Sequence, residues 1–227
     1  GGMGRALARR MVERGDAVCV LGRDAQQTLR SLADLKARGA PGATVTLAPC
    51  DLEKPEGFRK ALDSAEDSLG GLDVVVVTAA AFGTQEELEA DRDFAQLVLT
   101  VDFANTVLFC EEARKKLLSR GGGTLCVFSS VAGDRARTKV VLYGAAKAGL
   151  SAYLEGLDHR FRKDGLKTVC VKPGFVRTGM TEGLKAPPFA GEPDDVARTV
   201  LEAIDAGTPV VYAPPVWKWV MTAIKAL

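Results

Sequence analysis

Two segments indicate the fold of this protein: Leu125-Cys126-Val127-Phe128-Ser129-Ser130 and Tyr143-Gly144-Ala145-Ala146-Lys147. The first is a short apolar run that ends in two serines, and the second opens a helical pattern that continues to Lys163. A strand that is apolar on both faces is typical of a parallel sheet covered by helices on both sides. The two segments therefore predict a strand, a loop and a helix of an α/β protein.

The same alternation extends along the chain in both directions. Apolar runs typical of buried strands occur at Ala17–Leu21, Ala43–Ala48, Val74–Val77, Leu125–Phe128, Val169–Val171 and Val210–Tyr212. Helical patterns lie at Arg5–Arg14, Asp24–Arg38, Pro55–Leu69, Leu88–Ser119, Tyr143–Lys163 and Pro193–Ala206. This order predicts a single α/β domain over residues 1–227, with a Rossmann-like, doubly wound parallel sheet.

Composition excludes several other classes of protein. The 227 residues include 30 Lys+Arg and 29 Asp+Glu, for a net charge of +1, so no strong field attracts nucleic acid. The five cysteines are widely spaced and accompany one histidine, which argues against a disulfide framework and against a metal site. With no signal peptide and no apolar run near the ~20 residues of a membrane span, we expect a cytoplasmic protein.

Two places along the chain suggest a dinucleotide site. In Gly1-Gly2-Met3-Gly4, which leads into the first helix, Gly2, Met3 and Gly4 would let phosphates approach the positive helix end. Arg23 ends the next strand, where an arginine accepts the 2′-phosphate of NADP(H) and an acidic residue would favour NAD(H). Asp51, followed by Leu52, is expected at the adenine. A tight turn, a solvated arginine and a helix cap are the respective alternatives.

Ser130, Tyr143 and Lys147 are the candidate catalytic groups. Tyr143 and Lys147 are one helical turn apart, so the phenol and the ammonium share one helix face. A tyrosine with an ordinary pKa of ~10 becomes a useful acid when a nearby cation stabilises its phenolate. Ser130 would then hold a substrate oxygen while Tyr143 exchanges a proton with it. A solvated Tyr–Lys pair on a surface helix is the alternative.

This arrangement resembles the short-chain dehydrogenase/reductases. That family has a serine, a tyrosine thirteen residues later and a lysine four residues after the tyrosine, as in Ser130, Tyr143 and Lys147. Pro173-Gly174-Phe175-Val176-Arg177-Thr178 is similar to the family's loop over the nicotinamide. The resemblance runs through the whole chain in family order.

The resemblance implies an NAD(P)H-dependent carbonyl reductase or alcohol dehydrogenase. Tyr143 and Lys147 would also contact the cofactor, together with Pro173, Gly174, Val176 and Thr178. It further implies that Gly2 and Gly4 end a T-G-x-x-x-G-x-G loop whose beginning, with a first strand, precedes residue 1. The domain is therefore expected to be incomplete at its N-terminus. The family also assembles as dimers or tetramers, often through the helices at Leu88–Ser119 and Tyr143–Lys163.

The chain departs from the family pattern at two places. Thr78-Ala79-Ala80-Ala81 stands where the family has N-N-A-G, and Asp102 replaces the asparagine that holds a proton-relay water near the lysine. Asp102 is expected to bind that water but also to weaken the effect of Lys147 on Tyr143. Asn105 is an alternative relay residue. Both departures leave open a protein that binds nucleotide as a sensor without turnover.

Finer features resemble the polyprenylphosphoryl-2-keto-pentose reductases, which include the decaprenylphosphoryl-2-keto-ribose reductases. They are Gly133–Arg137, Tyr143-Gly144 with Lys147–Leu150, Arg177–Met180, Leu184–Pro187 and Val211–Pro214. The resemblance implies a keto-sugar on a polyprenyl phosphate as substrate, and a small hydrophobic or steroid-like ketone is the alternative.

Two further segments suggest substrate or membrane contacts. Arg135 and Arg137 would meet the phosphate of such a substrate at the mouth of the pocket, unless their loop is only solvated. The C-terminal segment Val216–Leu227 contains two tryptophans and two lysines, which suggests contact with a membrane surface or a lipid tail. A helix packed on the body of the protein or on another subunit is the alternative.

Overall fold

The computed structural model describes residues 2–226, so Gly1 and Leu227 lie outside the described residues. The helices are α1 Gly2–Arg14, α2 Ala25–Arg38, α3 Phe58–Leu69, α4 Gln85–Ala90, α5 Arg92–Leu99, α6 Thr106–Ser119, α7 Val141–Phe161, α8 Pro193–Ala206 and α9 Val216–Ala226. The strands are β1 Val18–Gly22, β2 Val45–Pro49, β3 Val74–Val77, β4 Gly123–Phe128, β5 Leu166–Pro173 and β6 Val210–Ala213.

All strand pairs described are parallel. β1 pairs with β2, and β3, β4, β5 and β6 form a second sheet in that order. Residues Gly123–Phe128 of β4 lie beside residues Leu166–Val171 of β5, so the loops that follow both strands emerge at one edge. The prediction of a single-domain, Rossmann-like parallel fold is confirmed.

Helices cover both faces of the larger sheet, as the apolar strands require. On one face, Leu125 and Val127 of β4 pack in a core built with α3, α6 and α7. On the other, Cys126 and Phe128 pack in a core built with α1 and α8. The alternation along β4 follows from the two-residue period of a strand. It explains why the strand is apolar throughout Leu125–Phe128.

A cleft of about 250 Å³ separates β1 from β3. Residues of both strands line it, and α1 and α3 close it with apolar side chains such as Leu7 and Leu62. Among residues 2–226 no strand joins the two sheets across this cleft. That a further strand belongs to the domain, and that residues 1–227 are an incomplete domain, stays a prediction.

The helix expected over Leu88–Ser119 is interrupted. Thr84 starts α4 through a capping box with Glu87, and Asp91 accepts hydrogen bonds from the first amides of α5. A π-helical segment, Thr100–Asn105, then joins α5 to α6. Apolar spacing alone does not distinguish this arrangement from one long helix.

The continuous helical stretch Arg92–Ser119 corrects one expectation. By length and composition alone it could cross a membrane, whereas the sequence analysis predicted no such segment. Phe109, Cys110, Ala113 and Leu117 of this stretch are buried in the core beneath β3 and β4. Packing inside the domain therefore accounts for part of its apolar composition, since 39% of its most apolar window is buried.

Candidate active site

Ser130, Tyr143 and Lys147 meet at the edge where β4 ends. Ser130 follows β4, and its hydroxyl accepts a hydrogen bond of 3.1 Å from the amide of Ala132, which starts a single 3₁₀ turn at Val131–Gly133. Tyr143 and Lys147 lie in the first two turns of α7, and both side chains are buried. The three residues predicted from their spacing are thus brought together.

Two glycines allow the serine turn to lie directly on α7. A Cβ atom on Gly133 would come within 2.6 Å of the carbonyl carbon of Lys147, and one on Gly144 within 2.9 Å of the carbonyl oxygen of Ala132. Backbone atoms cannot move aside as the end of a side chain can, so larger residues would separate the turn from the helix. Glycine at these positions sets how close Ser130 lies to Tyr143.

The phenol of Tyr143 is enclosed. Phe82 packs edge-on against its ring at a centroid distance of 5.2 Å, and Lys147 Nζ lies 5.6 Å from the ring centroid. Burial raises the pKa of Tyr143 above its ordinary value, the nearby Asp102 carboxylate raises it further, and the Ser130 hydroxyl lowers it. The tyrosine is therefore held protonated, which is the state that an acid needs.

Asp102 is the direct partner of Lys147. Its Oδ2 lies 3.3 Å from Lys147 Nζ, and the two side chains are 0% and 2% exposed. Its Oδ1 accepts a hydrogen bond of 2.7 Å from the amide of Ala81, and Lys147 Nζ also donates to the carbonyl of Phe128 at 3.4 Å. Asp102 thus connects the loop after β3 to the active-site lysine, from within the π-helical segment.

Burial shifts the pKa of both members of the Asp102–Lys147 pair. Desolvation raises the pKa of Asp102, against the opposing effects of the Lys147 charge and the Ala81 amide. Desolvation also lowers the pKa of Lys147, against the opposing charge of Asp102. Both partners move toward their neutral forms. Burial therefore weakens the charge of both partners, and the Asp102 carboxylate offsets the effect of Lys147 by raising the pKa of Tyr143.

Asn105 is not placed to act as the alternative relay residue. Its side-chain amide donates a hydrogen bond of 2.7 Å to the carbonyl of Leu52, in the loop after β2. Asn105 is therefore turned toward the predicted adenine side of the site, and it holds the segment that contains Asp51 and Leu52. The Asp102 carboxylate alone occupies the position beside Lys147.

Gly2 and Gly4 form a close approach at the N-terminus of α1. A Cβ atom on Gly2 would lie 2.9 Å from Thr178 Cγ2, and one on Gly4 would lie 2.4 Å from Thr78 Oγ1. Met3 between them is half-buried against the α1–α8 core. The two glycines therefore let the N-terminus of α1 lie directly against Thr178 and Thr78, and such a helix N-terminus suits the phosphates of a dinucleotide.

A carboxylate, that of Glu53, lies beside Arg23 at the part of the site predicted to bind the adenosine. Arg23 is 67% exposed and forms an ion pair with Glu53. Asp51 accepts a hydrogen bond of 3.0 Å from the amide of Glu53, so its carboxylate shapes the turn after β2. Glu53 therefore lies where it can compete with a phosphate for Arg23. The sequence pattern gave no sign of it, because Glu53 lies 30 positions from Arg23.

The predicted nicotinamide loop continues from β5. Pro173 ends the strand, Gly174 follows it, and Val176 is buried in the α1–α8 core. The amide of Thr178 donates a hydrogen bond of 3.1 Å to the hydroxyl of Thr181, so a short 3₁₀ turn follows directly. Because Thr178 also contacts Gly2, this loop and the phosphate side of the site meet.

Arg135 and Arg137 lie on the loop between Ser130 and Tyr143, and both are exposed. Neither forms an ion pair with any residue in the range 2–226, although the loop is placed at the same edge as the candidate catalytic groups. Their guanidinium groups are therefore available to an anionic group of a ligand.

Besides Glu53, two further residues of the site had not been predicted. Phe82 closes one side of Tyr143, and the buried side chain of Gln85 accepts hydrogen bonds from the amides of Val141 and Leu142 at the start of α7. An aromatic residue soon after β3 is a weak signal for Phe82. Gln85 gave no signal, since the helix end that it caps lies 56 positions away.

This fold and this site define an oxidoreductase of the α/β class that uses a nicotinamide dinucleotide. A family model described as short chain dehydrogenase matches residues 1–188. The chain therefore belongs to the short-chain dehydrogenase family, whose members use NAD(P)(H).

Relatives cover nearly the whole chain. An uncharacterized oxidoreductase of Mycobacterium tuberculosis is 30% identical over 225 residues, which are 99% of this chain and 89% of that protein. Carbonyl reductase family member 4 of Xenopus laevis is 25% identical over 213 residues, which are 90% of this chain and 87% of that protein. The structure of a short-chain type dehydrogenase/reductase from Mycobacterium ulcerans superposes with a TM-score of 0.84 at 21% identity, covering 92% of this chain and 83% of that one.

Proposed function

We propose that this oxidoreductase reduces a ketone, with Tyr143 as the acid and NADPH as the preferred cofactor. The observation that carries the proposal is the buried contact among Ser130, Tyr143 and Lys147 at the edge where Gly2 and Thr178 also meet. A relative that carries the name carbonyl reductase supports the direction of the reaction.

The residues of the chain have separate tasks in this reaction. A bound nicotinamide would supply the hydride that reduces the ketone carbon. Tyr143 donates its proton to the ketone oxygen, Ser130 orients that oxygen by a hydrogen bond, and Lys147 stabilises the phenolate that remains. Gly2, Gly4 and Thr178, with Lys147 and Arg23, would hold the cofactor. Phe82 excludes water from the phenol.

NADPH is proposed over NADH because of Arg23. The ion pair with Glu53 is largely exposed, and such pairs contribute only about 0–1 kcal/mol. A 2′-phosphate that makes charge-assisted hydrogen bonds to the guanidinium can therefore replace Glu53. Fluorescence titration of the protein with both cofactors tests this proposal. Tighter binding of NADPH is expected, and equal affinity would remove the role of Arg23.

For the substrate we propose a keto-sugar on a polyprenyl phosphate. The exposed guanidinium groups of Arg135 and Arg137 suit a phosphate. The segment after Thr178 carries exposed apolar side chains that suit a hydrocarbon chain, at Met180, Leu184 and Phe189. A cavity of about 480 Å³ opens along this segment. A small hydrophobic or steroid-like ketone would use the apolar side chains without the arginines.

Kinetics with two classes of ketone separate these substrates. NADPH oxidation is followed with a polyprenyl-phosphate keto-sugar and with a neutral hydrophobic ketone, for the wild type and for Arg135→Ala with Arg137→Ala. We expect the double substitution to raise KM for the phosphate-bearing ketone about tenfold or more, with little change for the neutral one. Turnover of the neutral ketone alone would support the other substrate class.

The cytoplasmic location and the contact of α9 with a membrane surface stay predictions. Trp219 on α9 is 72% exposed, which suits an interfacial contact, whereas Met221 of the same helix is fully buried against the body of the protein. Sedimentation with anionic lipid vesicles tests the contact. Binding that is lost in Trp219→Ala is expected if the prediction holds.

A further inference from the structure

A buried carboxylate lies behind the serine turn, outside the groups used in the reaction. The side chain of Asp134 is 2% exposed. Lys172 Nζ donates to its Oδ1, and the Tyr212 hydroxyl donates to its Oδ2 at 2.6 Å. Lys225 Nζ reaches Oδ2 at 3.3 Å. Asp134 thus has partners on three separate elements.

These partners belong to the parts of the chain that surround the substrate. Asp134 directly follows the turn that begins at Ser130, and Lys172 directly precedes the Pro173–Gly174 loop. Tyr212 lies on β6, and Lys225 lies in the last turn of α9. One carboxylate therefore links the serine turn, the nicotinamide loop and the C-terminal helix.

The other end of α9 contacts the same region. A Cβ atom on Gly174 would lie 2.0 Å from Trp217 Nε1, so the indole is packed directly over the nicotinamide loop. Trp217 Nε1 also donates a hydrogen bond of 3.3 Å to the carbonyl of Phe189, in the proposed substrate segment. Met221, between the two contacts, is fully buried. α9 is therefore attached at both of its ends to the loops of the site.

The charges around Asp134 favour its ionised form. Burial raises the pKa of Asp134, but hydrogen bonds from Lys172 and Tyr212, with the charge of Lys172 and the contact with Lys225, bring the pKa below its ordinary value. At neutral pH the carboxylate therefore holds two cations. Loss of its charge would leave Lys172 half-buried without a counter-ion, which disturbs the strand end that leads into Gly174.

We propose that Asp134 is a positioning residue for ketone reduction: through Lys172 and Lys225 it keeps the nicotinamide loop and α9 aligned with Ser130, so that Trp217 holds the substrate segment in place. This inference rests on the proposed ketone reductase activity. In this role Lys225 and Trp217 hold the substrate segment in position and do not contact the reacting atoms.

The variants of α9 test the inference, with matched controls on the same helix. Lys225→Met removes one cation of Asp134, and Lys218→Met changes an exposed lysine of α9 for which no ion pair is found in the described part of the chain. We expect KM for the ketone to rise about three- to fivefold in Lys225→Met, as the loss of a half-exposed ion pair allows. Lys225→Arg retains the positive charge, so its KM for the ketone should stay near the wild-type value. Lys218→Met should also leave this KM unchanged. Asp134→Asn should have a larger effect in the same direction, with the Kd of NADPH changed less than KM.

A second readout does not depend on turnover. The chain has two tryptophans, so Trp219→Phe leaves Trp217 as the sole indole. In that background, Lys225→Met is expected to increase acrylamide quenching of Trp217, because α9 loosens from Gly174. Lys218→Met is expected to leave the quenching unchanged.

Unchanged quenching in Lys225→Met would overturn the attachment of α9. Increased quenching with an unchanged KM would overturn the positioning role. If the wild type reduces no ketone, the proposed function fails, while quenching still decides the attachment.

Discussion

The lysine at the centre of the site lies between the Asp102 carboxylate and the Tyr143 phenol, and Asp102 is one of the two departures from the family pattern. Lys147 is placed beside the Tyr143 ring, but its nearest charged neighbour is Asp102, with both side chains removed from water. Removing one partner of a buried ion pair is costly, so Asp102 is expected to stabilise the fold as well as to affect the acid. A neutral side chain at that position would leave more of the lysine charge for the phenol.

Asp102→Asn should shift the pH dependence of ketone reduction. The Asp102 charge raises the pKa of Tyr143, so its removal lowers that pKa. Reduction requires protonated Tyr143, and the rate falls as the pH rises through this pKa. The falling limb of the kcat profile is therefore expected at lower pH in Asp102→Asn than in the wild type, as measured by initial rates with saturating cofactor.

An unchanged profile in a folded Asp102→Asn protein would contradict this role of Asp102. Circular dichroism and urea unfolding serve as the control, because the lost ion pair lowers the free energy of unfolding by about 3–5 kcal/mol. Asp102→Glu retains the charge and is expected to keep the limb near its wild-type position.

Glu53→Gln should strengthen NADPH binding. The substitution frees Arg23 from its ion pair and removes a negative charge near the proposed 2′-phosphate. The Kd for NADPH is expected to fall by about two- to fivefold, a gain of at most ~1 kcal/mol, with little change for NADH. Fluorescence titration measures both constants. A stronger effect on NADH than on NADPH would show that Glu53, not Arg23, selects the cofactor.

At the scale of elements, the contact between the serine turn and α7 depends on glycines. Both strand–helix alternation and the pairing of Ser130 with Tyr143 and Lys147 were predictable, because apolar period and residue spacing are local. The π-helical segment Thr100–Asn105 and the Gln85 cap of α7 were not, because each depends on residues that meet only after folding. The sequence likewise did not predict that Gly133 and Gly144 let the backbone of the serine turn lie directly against α7.

Gly133→Ala and Gly156→Ala should have opposite effects. A methyl group at Gly133 meets backbone atoms of Lys147 and Ala148, whereas at Gly156 nothing lies within 4 Å of the added atom. Gly133→Ala is expected to lower the free energy of unfolding by about 1–3 kcal/mol and to reduce kcat. Gly156→Ala should raise it by about 0.5–1 kcal/mol, since alanine favours the helix. Urea unfolding checks both, and a neutral Gly133→Ala would contradict the close contact.

The whole molecule presents an apolar face that suits assembly into the homodimer or homotetramer that the family resemblance implies. Phe103 is 38% exposed and packs beside Gly149 of α7, next to the exposed small residues Ala148, Ala152 and Gly156. Small side chains on α7 and the Phe103 ring beside them form an apolar surface that a second copy can cover. We propose this face as the interface of a homo-oligomer.

Ala152→Arg should dissociate that oligomer. A charge at the centre of an apolar interface is desolvated without a partner, so the species seen by light scattering should fall to the 24.0 kDa of one chain. Leu29→Arg on α2, which places a charge at a distant exposed leucine, should leave the mass unchanged. A monomeric wild type, or an oligomer that withstands Ala152→Arg, would contradict this interface.

At this scale the sequence predicted the α/β architecture, the shared edge of the strands and the family. It did not predict which polar side chains surround the site, since Asp134, Glu53 and Gln85 act on partners distant in sequence. The membrane-like composition of Arg92–Ser119 also became interpretable only when several of its residues were found in the core.

The most direct test of Tyr143 as the acid compares ketone reduction by Tyr143→Phe with that by Tyr153→Phe. Both tyrosines lie on α7, but the Tyr153 hydroxyl donates to Glu111 at 2.7 Å, away from the site. Tyr143→Phe is expected to lower kcat by about 10²–10⁴-fold with NADPH still bound, and Tyr153→Phe to remain near wild type. Retained turnover in Tyr143→Phe, or an equal loss in both variants, would contradict the assignment of Tyr143 as the acid.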